Sequence, residues 1–193
     1  MRIIAGTARS LPLKTTSGLE TRPTADNIKE TIFNILQADV PGSVFLDLFS
    51  GCGAIGLEAV SRGAKKAVLV ENSRRAAACI RDNINFTKFG DRCELKTMDA
   101  AAAVRALERR YVFDIVYMDP PYGMGLELEV LSALKDSSII NEDSILVIET
   151  SRKTNVSAYE MGAFEIYRQK LYKNNQHVFL RRLPHAGSLK DES

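Results

Sequence analysis

The feature that most constrains this chain is the short apolar run "SVFLDLF" (43–49), which ends directly in the glycine cluster "SGCGAIG" and then in "LEAVSRG". That order reads as strand, tight turn and helix, with Gly63 as the helix stop. The unit then repeats. "AVLVE" (67–71) is a strand ending on an acid, and "RRAAACIRDNINF" is a helix. "CELKTMD", "FDIVYMD" and "SILVIET" are further strands, separated by helices through "AAAVRALERR" and "LELEVLSALK". Such alternation predicts an α/β fold built on a Rossmann-like, doubly wound and mostly parallel sheet. Near the end, "FEIYRQKLY" and "HVFLRR" flank the polar "KNNQ", the pattern of an antiparallel hairpin that would complete a seven-stranded sheet.

The ends of the chain follow other rules. Residues 1–20 alternate in β fashion and are broken by Gly6, Pro12 and Gly18, which suggests a small hairpin. Thr24 is placed to cap a helix in which Ile28, Ile32, Phe33, Ile35 and Leu36 recur on one face. The expected division is an extension over 1–40 that faces the substrate, a core over 41–183, and a disordered tail, "PHAGSLKDES", over 184–193. With 193 residues and 45% hydrophobic content, one main core is the default.

Composition narrows the function classes. Cys52, Cys79 and Cys93 are too scattered for a disulfide framework, and none stands at zinc-ligand spacing with His177 or His185. Free thiols and no metal are expected. Both histidines read as surface or packing residues, and Cys52 as a small filler in the glycine turn. Lys and Arg number 26 against 24 Asp and Glu, so any basic surface must be local. The N-terminus has no signal-like apolar segment, and no stretch is long enough to span a bilayer. These features predict a soluble cytoplasmic protein, and the lack of an obvious oligomer seam predicts a monomer.

Ligands of open α/β sheets sit beyond the C-terminal strand ends. Gly51, Gly53 and Gly56 in "GCGAIG" fit the G-x-G-x-x-G spacing, and Glu71 closes the next strand. The glycines alone fit NAD, FAD or S-adenosylmethionine (SAM), or mere close packing of helix on sheet. Asp47 shifts the balance, because a carboxylate leading into the turn would repel a pyrophosphate. SAM has no phosphate and carries an ammonium and a sulfonium. Asp47 suits its methionine end, Glu71 the ribose hydroxyls, and Asp99 the adenine.

The second motif is "DPPYG" (119–123), after the strand expected to lie beside the first. An exocyclic amine on a nucleobase is a poor nucleophile because its lone pair is delocalised into the ring. Two acceptors on its N–H groups direct that lone pair outward. Asp119 offers a carboxylate and Pro120 a backbone carbonyl, held by the fixed φ angles of Pro120 and Pro121. The ring of Tyr122 can stack on the base. Alignment and fixed dipoles then supply the catalysis, with no covalent intermediate.

Beyond these two motifs, "RIIAG", "TRPTADNIKETIFNIL", "LDLFSGCGAIGLEAVSRGA", the acid in "VEN" and the asparagine in "RDNI" complete a pattern running from about residue 2 to 182. It resembles the bacterial 16S ribosomal RNA guanine-N2 methyltransferases, the RsmD-like family. The resemblance implies methyl transfer from SAM to the N2 amine of one guanine in 16S rRNA, within an assembling small subunit. It implies SAM contacts from Asp47, Phe49, Gly51, Gly53, Glu71, Asn72, Asp99 and Ala100, and base contacts from Asp119, Pro120, Pro121 and Tyr122. Arg2, Arg9, Lys14 and Arg22 are candidate RNA contacts, which Lys170, Lys173, Arg181 and Arg182 could extend. An adenine-N6 methyltransferase would use "DPPY" in the same way, and a SAM-binding assembly factor without activity is a third reading.

Overall fold

In the computed structural model, which describes residues 1–16 and 23–184, five helices and seven strands alternate. The strands are β1 (Val44–Asp47), β2 (Lys66–Val70), β3 (Cys93–Lys96), β4 (Ile115–Met118), β5 (Ile145–Ser151), β6 (Phe164–Leu171) and β7 (Asn175–Arg182). The helices are α1 (Pro23–Ile35), α2 (Ala54–Ser61), α3 (Arg74–Thr87), α4 (Ala100–Ala106) and α5 (Leu126–Leu134). One sheet has the order β3-β2-β1-β4-β5-β7-β6, parallel through β5 and antiparallel over β5-β7-β6.

The central strands are apolar because both faces are covered. Against one face pack Phe33 and Leu36 around α1, Leu57 and Val60 of α2, and Ile80 and Ile84 of α3. Val104 of α4 and Val130 and Leu131 of α5 pack on the other. The chain order reverses between β1 and β4, so the carboxyl ends of both strands flank one crevice. Register aligns their acids: Asp47 pairs with Leu69 and Tyr117, which puts Glu71 and Asp119 each two residues beyond it. Tyr117 pairs in turn with Val147, bringing Glu149 level with Asp119.

The N-terminal arm folds back on itself, with Ile3 N donating to Leu11 O and Leu13 N to Met1 O, both at 3.0 Å. It docks on α2 through Glu58, a fully buried carboxylate that accepts from Ile4 N (2.7 Å) and Ala5 N (3.0 Å). Lys29 of α1 lies 3.2 Å from Glu58 and Arg62 lies 2.7 Å from it. A buried carboxylate is tolerated only when paired in this way.

Four local expectations change. Helix α2 begins at Ala54, ahead of Leu57, so Gly56 sits in its first turn; a Cβ there would come within 2.9 Å of Leu69. Thr24 lies inside α1, whose first residue is Pro23, a good fit because a first-turn N–H has no helical partner to lose. The "KNNQ" turn is shorter than its polarity suggests, since Asn175 and Gln176 already belong to β7 and are buried. Arg182 is no surface residue: its guanidinium is buried and donates to the carbonyls of Ser137 (2.8 Å), Ile140 (3.0 Å) and Lys135. Nearly all of the expected tail, from residue 185 on, lies outside the described residues.

Candidate active site

The glycine turn places Gly51 at φ 57 and Gly53 at φ 82, left-handed values that glycine adopts without strain. Its three glycine amides are already spent. Gly51 N donates to Glu71 Oε2 at 2.9 Å, Gly53 N to Ser50 O at 2.6 Å, and Gly56 N to Asp47 Oδ2 at 3.1 Å. A phosphate would find carboxylates on the donors it needs. Asn83 of α3 steadies the turn from behind, donating to Cys52 O at 2.9 Å and to Lys14 O at 3.0 Å.

Asp47 is almost fully buried, and its Oδ1 has no hydrogen-bond partner among the described residues. Burial pushes its carboxyl up to about 7, against the hydrogen bond from Gly56 N. An unpartnered buried oxygen beside an open turn suits a cationic ligand.

A cleft of about 590 Å3 opens over this turn. Phe49, Gly51, Glu71, Asn72, Asp119, Pro120, Pro121 and Tyr122 line it, together with Met1, Ile55, Tyr117 and Leu126, which the sequence did not single out. Asp47, Gly53, Asp99 and Ala100 do not form its wall. Asp47 lies behind the turn and Gly53 caps α2. Asp99 caps α4, accepting from Ala102 N at 2.9 Å, and Ala100 is buried in the core.

Within the cleft, the Asp119 carboxyl and the Pro120 carbonyl accept no hydrogen bond from any described group. Asp119 is exposed along the cleft wall; the protein packed around it, then the charges of Glu149 and Asp47, push its carboxyl well above the usual range. Glu149 moves the other way. Its own burial is outweighed by hydrogen bonding and charge from His177 and by hydrogen bonds from Asn175 and Tyr117.

That carboxylate is the hub of a network that sequence reasoning missed. Glu149 Oε2 meets His177 Nε2 at 3.0 Å and accepts from Tyr117 OH at 2.9 Å, while Oε1 accepts from Tyr122 OH at 3.2 Å and from the Asn175 amide. His177 is wholly buried, which leaves the packing reading and removes the surface one, and its Nδ1 is 3.1 Å from Tyr172 OH. Nε2 faces the carboxylate and Nδ1 the Tyr172 hydroxyl, so both ring nitrogens are engaged. The visible signal for Glu149 was a strand ending on an acid, as at Glu71; His177 had none.

The candidate RNA contacts are scattered by comparison. Arg2 lies 3.7 Å from Asp26, and Lys14 lies 2.9 Å from Asp82. Arg9 is exposed and its guanidinium has no partner among the described residues, and Arg22 lies outside them, as does His185. Arg181 pairs with Glu165 at 3.7 Å on the surface. No helix among the described residues is long and apolar enough to cross a membrane.

The family model "Conserved hypothetical protein 95" matches residues 1–181. The ribosomal RNA small subunit methyltransferase D of Haemophilus influenzae is 32% identical over 155 residues, which are 79% of each chain. Its namesake from Escherichia coli K12 is 30% identical over 173 residues, covering 89% of this chain and 84% of that one. Among solved structures, yhhF of E. coli, described as a candidate methyltransferase, superposes with a TM-score of 0.80 at 28% identity, over 94% of this chain and 97% of its own.

Proposed function

Because the chain belongs to the RsmD-like family of SAM-dependent methyltransferases, we propose that it methylates the exocyclic N2 amine of one guanine in 16S rRNA, within an assembling small subunit. The observation that carries this reading is the pair of unspent acceptors, the Asp119 carboxyl and the Pro120 carbonyl, in the wall of a cleft whose glycine amides already donate within the protein. An exocyclic amine offers the two N–H donors that such a pair can hold.

The residues fit SAM. Asp47 sets a carboxyl behind the turn whose charge favours a cation in the cleft, Gly51 leaves open space where a side chain would project, and Glu71 is placed for hydroxyl donors. Phe49 and Asn72 complete this wall, and the capping acid Asp99 with Ala100 would flank it. When bound, SAM supplies an electrophilic methyl carbon on a sulfonium.

The chain's own work is orientation. Asp119 and Pro120 accept from the two amine N–H groups, so the nitrogen lone pair faces the methyl donor and the flat base rests on Tyr122. Ionisation makes Asp119 the stronger acceptor, and a cation in the cleft favours that form. The proton lost from nitrogen leaves to water. Arg9, with Arg2, Lys14 and Arg22, would steer the rRNA phosphates, and the protein would act as a monomer.

The test offers methyl-labelled SAM with unmodified small subunits, free 16S rRNA and duplex DNA, and identifies the labelled nucleoside by mass spectrometry. N2-methylguanosine from the ribosomal substrate is expected. N6-methyladenosine would keep the amine chemistry and overturn the guanine reading; SAM binding without label in any substrate would favour an assembly factor.

A further inference from the structure

A second cleft, of about 610 Å3, opens beside the first, between Asn27 and Thr31 of α1, Tyr122, and the β6-β7 turn with Tyr172, Lys173 and Asn174. Tyr122 lines both clefts and so forms the partition between them. We propose that the second cleft holds the ribonucleotide adjacent to the target guanine, so that single-stranded RNA is gripped at two consecutive positions. This rests on the RNA methyltransferase reading above and adds a subsite to it.

Both aromatic walls are built in advance. Tyr122 OH donates to Glu149 Oε1 at 3.2 Å, and Tyr172 OH reaches His177 Nδ1 at 3.1 Å. Glu149 and His177 are themselves joined at 3.0 Å, so two rings in different loops hang from one hydrogen-bonded pair. Aromatic platforms held in this way bind successive bases with little ordering cost.

The polar groups fit a nucleotide as well. Lys173 is exposed and has no acidic partner among the described residues, and Arg152 reaches the same turn, its Nη1 donating to Tyr172 O at 3.1 Å. The side-chain amides of Asn27 and Asn174 are exposed and have no partner among the described residues. Rings, a free ammonium and free amides are the chemistry of single-strand recognition: stacking, phosphate contact and base-edge hydrogen bonds. Placing a guanine in the first cleft also unstacks its neighbour, which then needs a new surface.

The test places p-benzoylphenylalanine at Asn174 in the full chain and irradiates it with SAM and unmodified small subunits. A crosslink to the nucleotide next to the methylated guanine is expected. Attachment to a ribosomal protein, attachment to rRNA remote from that guanine, or no attachment by a variant that still methylates would each overturn the subsite. In parallel, Lys173→Glu should raise KM for subunits about tenfold while SAM affinity and kcat hold; an unchanged KM contradicts the proposal. If the wild-type chain forms no N2-methylguanosine on any RNA, the parent reading fails first, a result distinct from a failed crosslink.

Discussion

The amide of Gly51 donates to the Glu71 carboxylate at 2.9 Å, which sets an acid on a donor that such turns most often offer to a phosphate. Ser73 N also donates to Glu71, at 2.8 Å, so one side chain fixes the turn and the start of α3. Glu71→Ala removes both acceptors and exposes two amides. SAM affinity should fall at least about tenfold by calorimetric titration, since hydrogen bonds to a charged group contribute about 1.5–3 kcal/mol each. NADH should show no saturable binding to the parent protein; tight NADH binding would contradict the account of the turn.

Asp47 links ligand binding to pH. Its carboxyl sits at about 7 in the folded chain, against an ordinary 3.8, so between those values the folded state holds more protons than the unfolded one. Stability of the ligand-free protein should therefore decline as pH rises through that window. Asp47→Asn should flatten the slope, add about 2 kcal/mol in denaturant melts at about pH 8, and lose SAM binding. SAM affinity of the parent should rise from about pH 6 to about pH 8 as Asp47 ionises.

Asn83 ties three segments together: it donates to Cys52 O and Lys14 O and accepts from Lys14 N at 2.9 Å. Asn83→Ala should cost about 2–3 kcal/mol, because buried partners are left unsatisfied. SAM affinity should weaken in the same variant, as the glycine turn loses its support.

Gly6 is a sterically fixed position. At φ 84 its missing Cβ would lie 1.8 Å from Ser61 O, the backbone against which the N-terminal arm is docked. Gly6→Ala should lower stability by about 2–4 kcal/mol through clash and left-handed strain. Limited proteolysis should show the arm released before the sheet opens.

Much of this fold was legible because burial on both faces turns "VFLD", "KAVLV" and "IVYM" into continuous apolar runs. The cleft was legible for a similar reason: "SGC" and "DPPY" are local motifs whose consecutive residues line its walls. The Glu149–His177 pair was not, since the residues are 28 positions apart and meet only through the antiparallel register of β5 and β7. Polar side chains with buried partners imitate loops. Asn175 serves Glu149, and Gln176 donates to Ser151 O at 3.1 Å, so both read as turn from sequence and lie in a strand. The acids opposing Arg2 and Lys14 were hidden likewise, because Asp26 and Asp82 arrive from helices.

The central claim is that the Asp119 carboxyl orients an N2 amine and does not hold SAM. Asp119→Ala, assayed on unmodified small subunits alongside the parent, tests it most directly. The account predicts that SAM affinity stays within about threefold while formation of N2-methylguanosine drops at least about a thousandfold. Undiminished N2-methylguanosine from the variant, measured by nucleoside mass spectrometry, would contradict it.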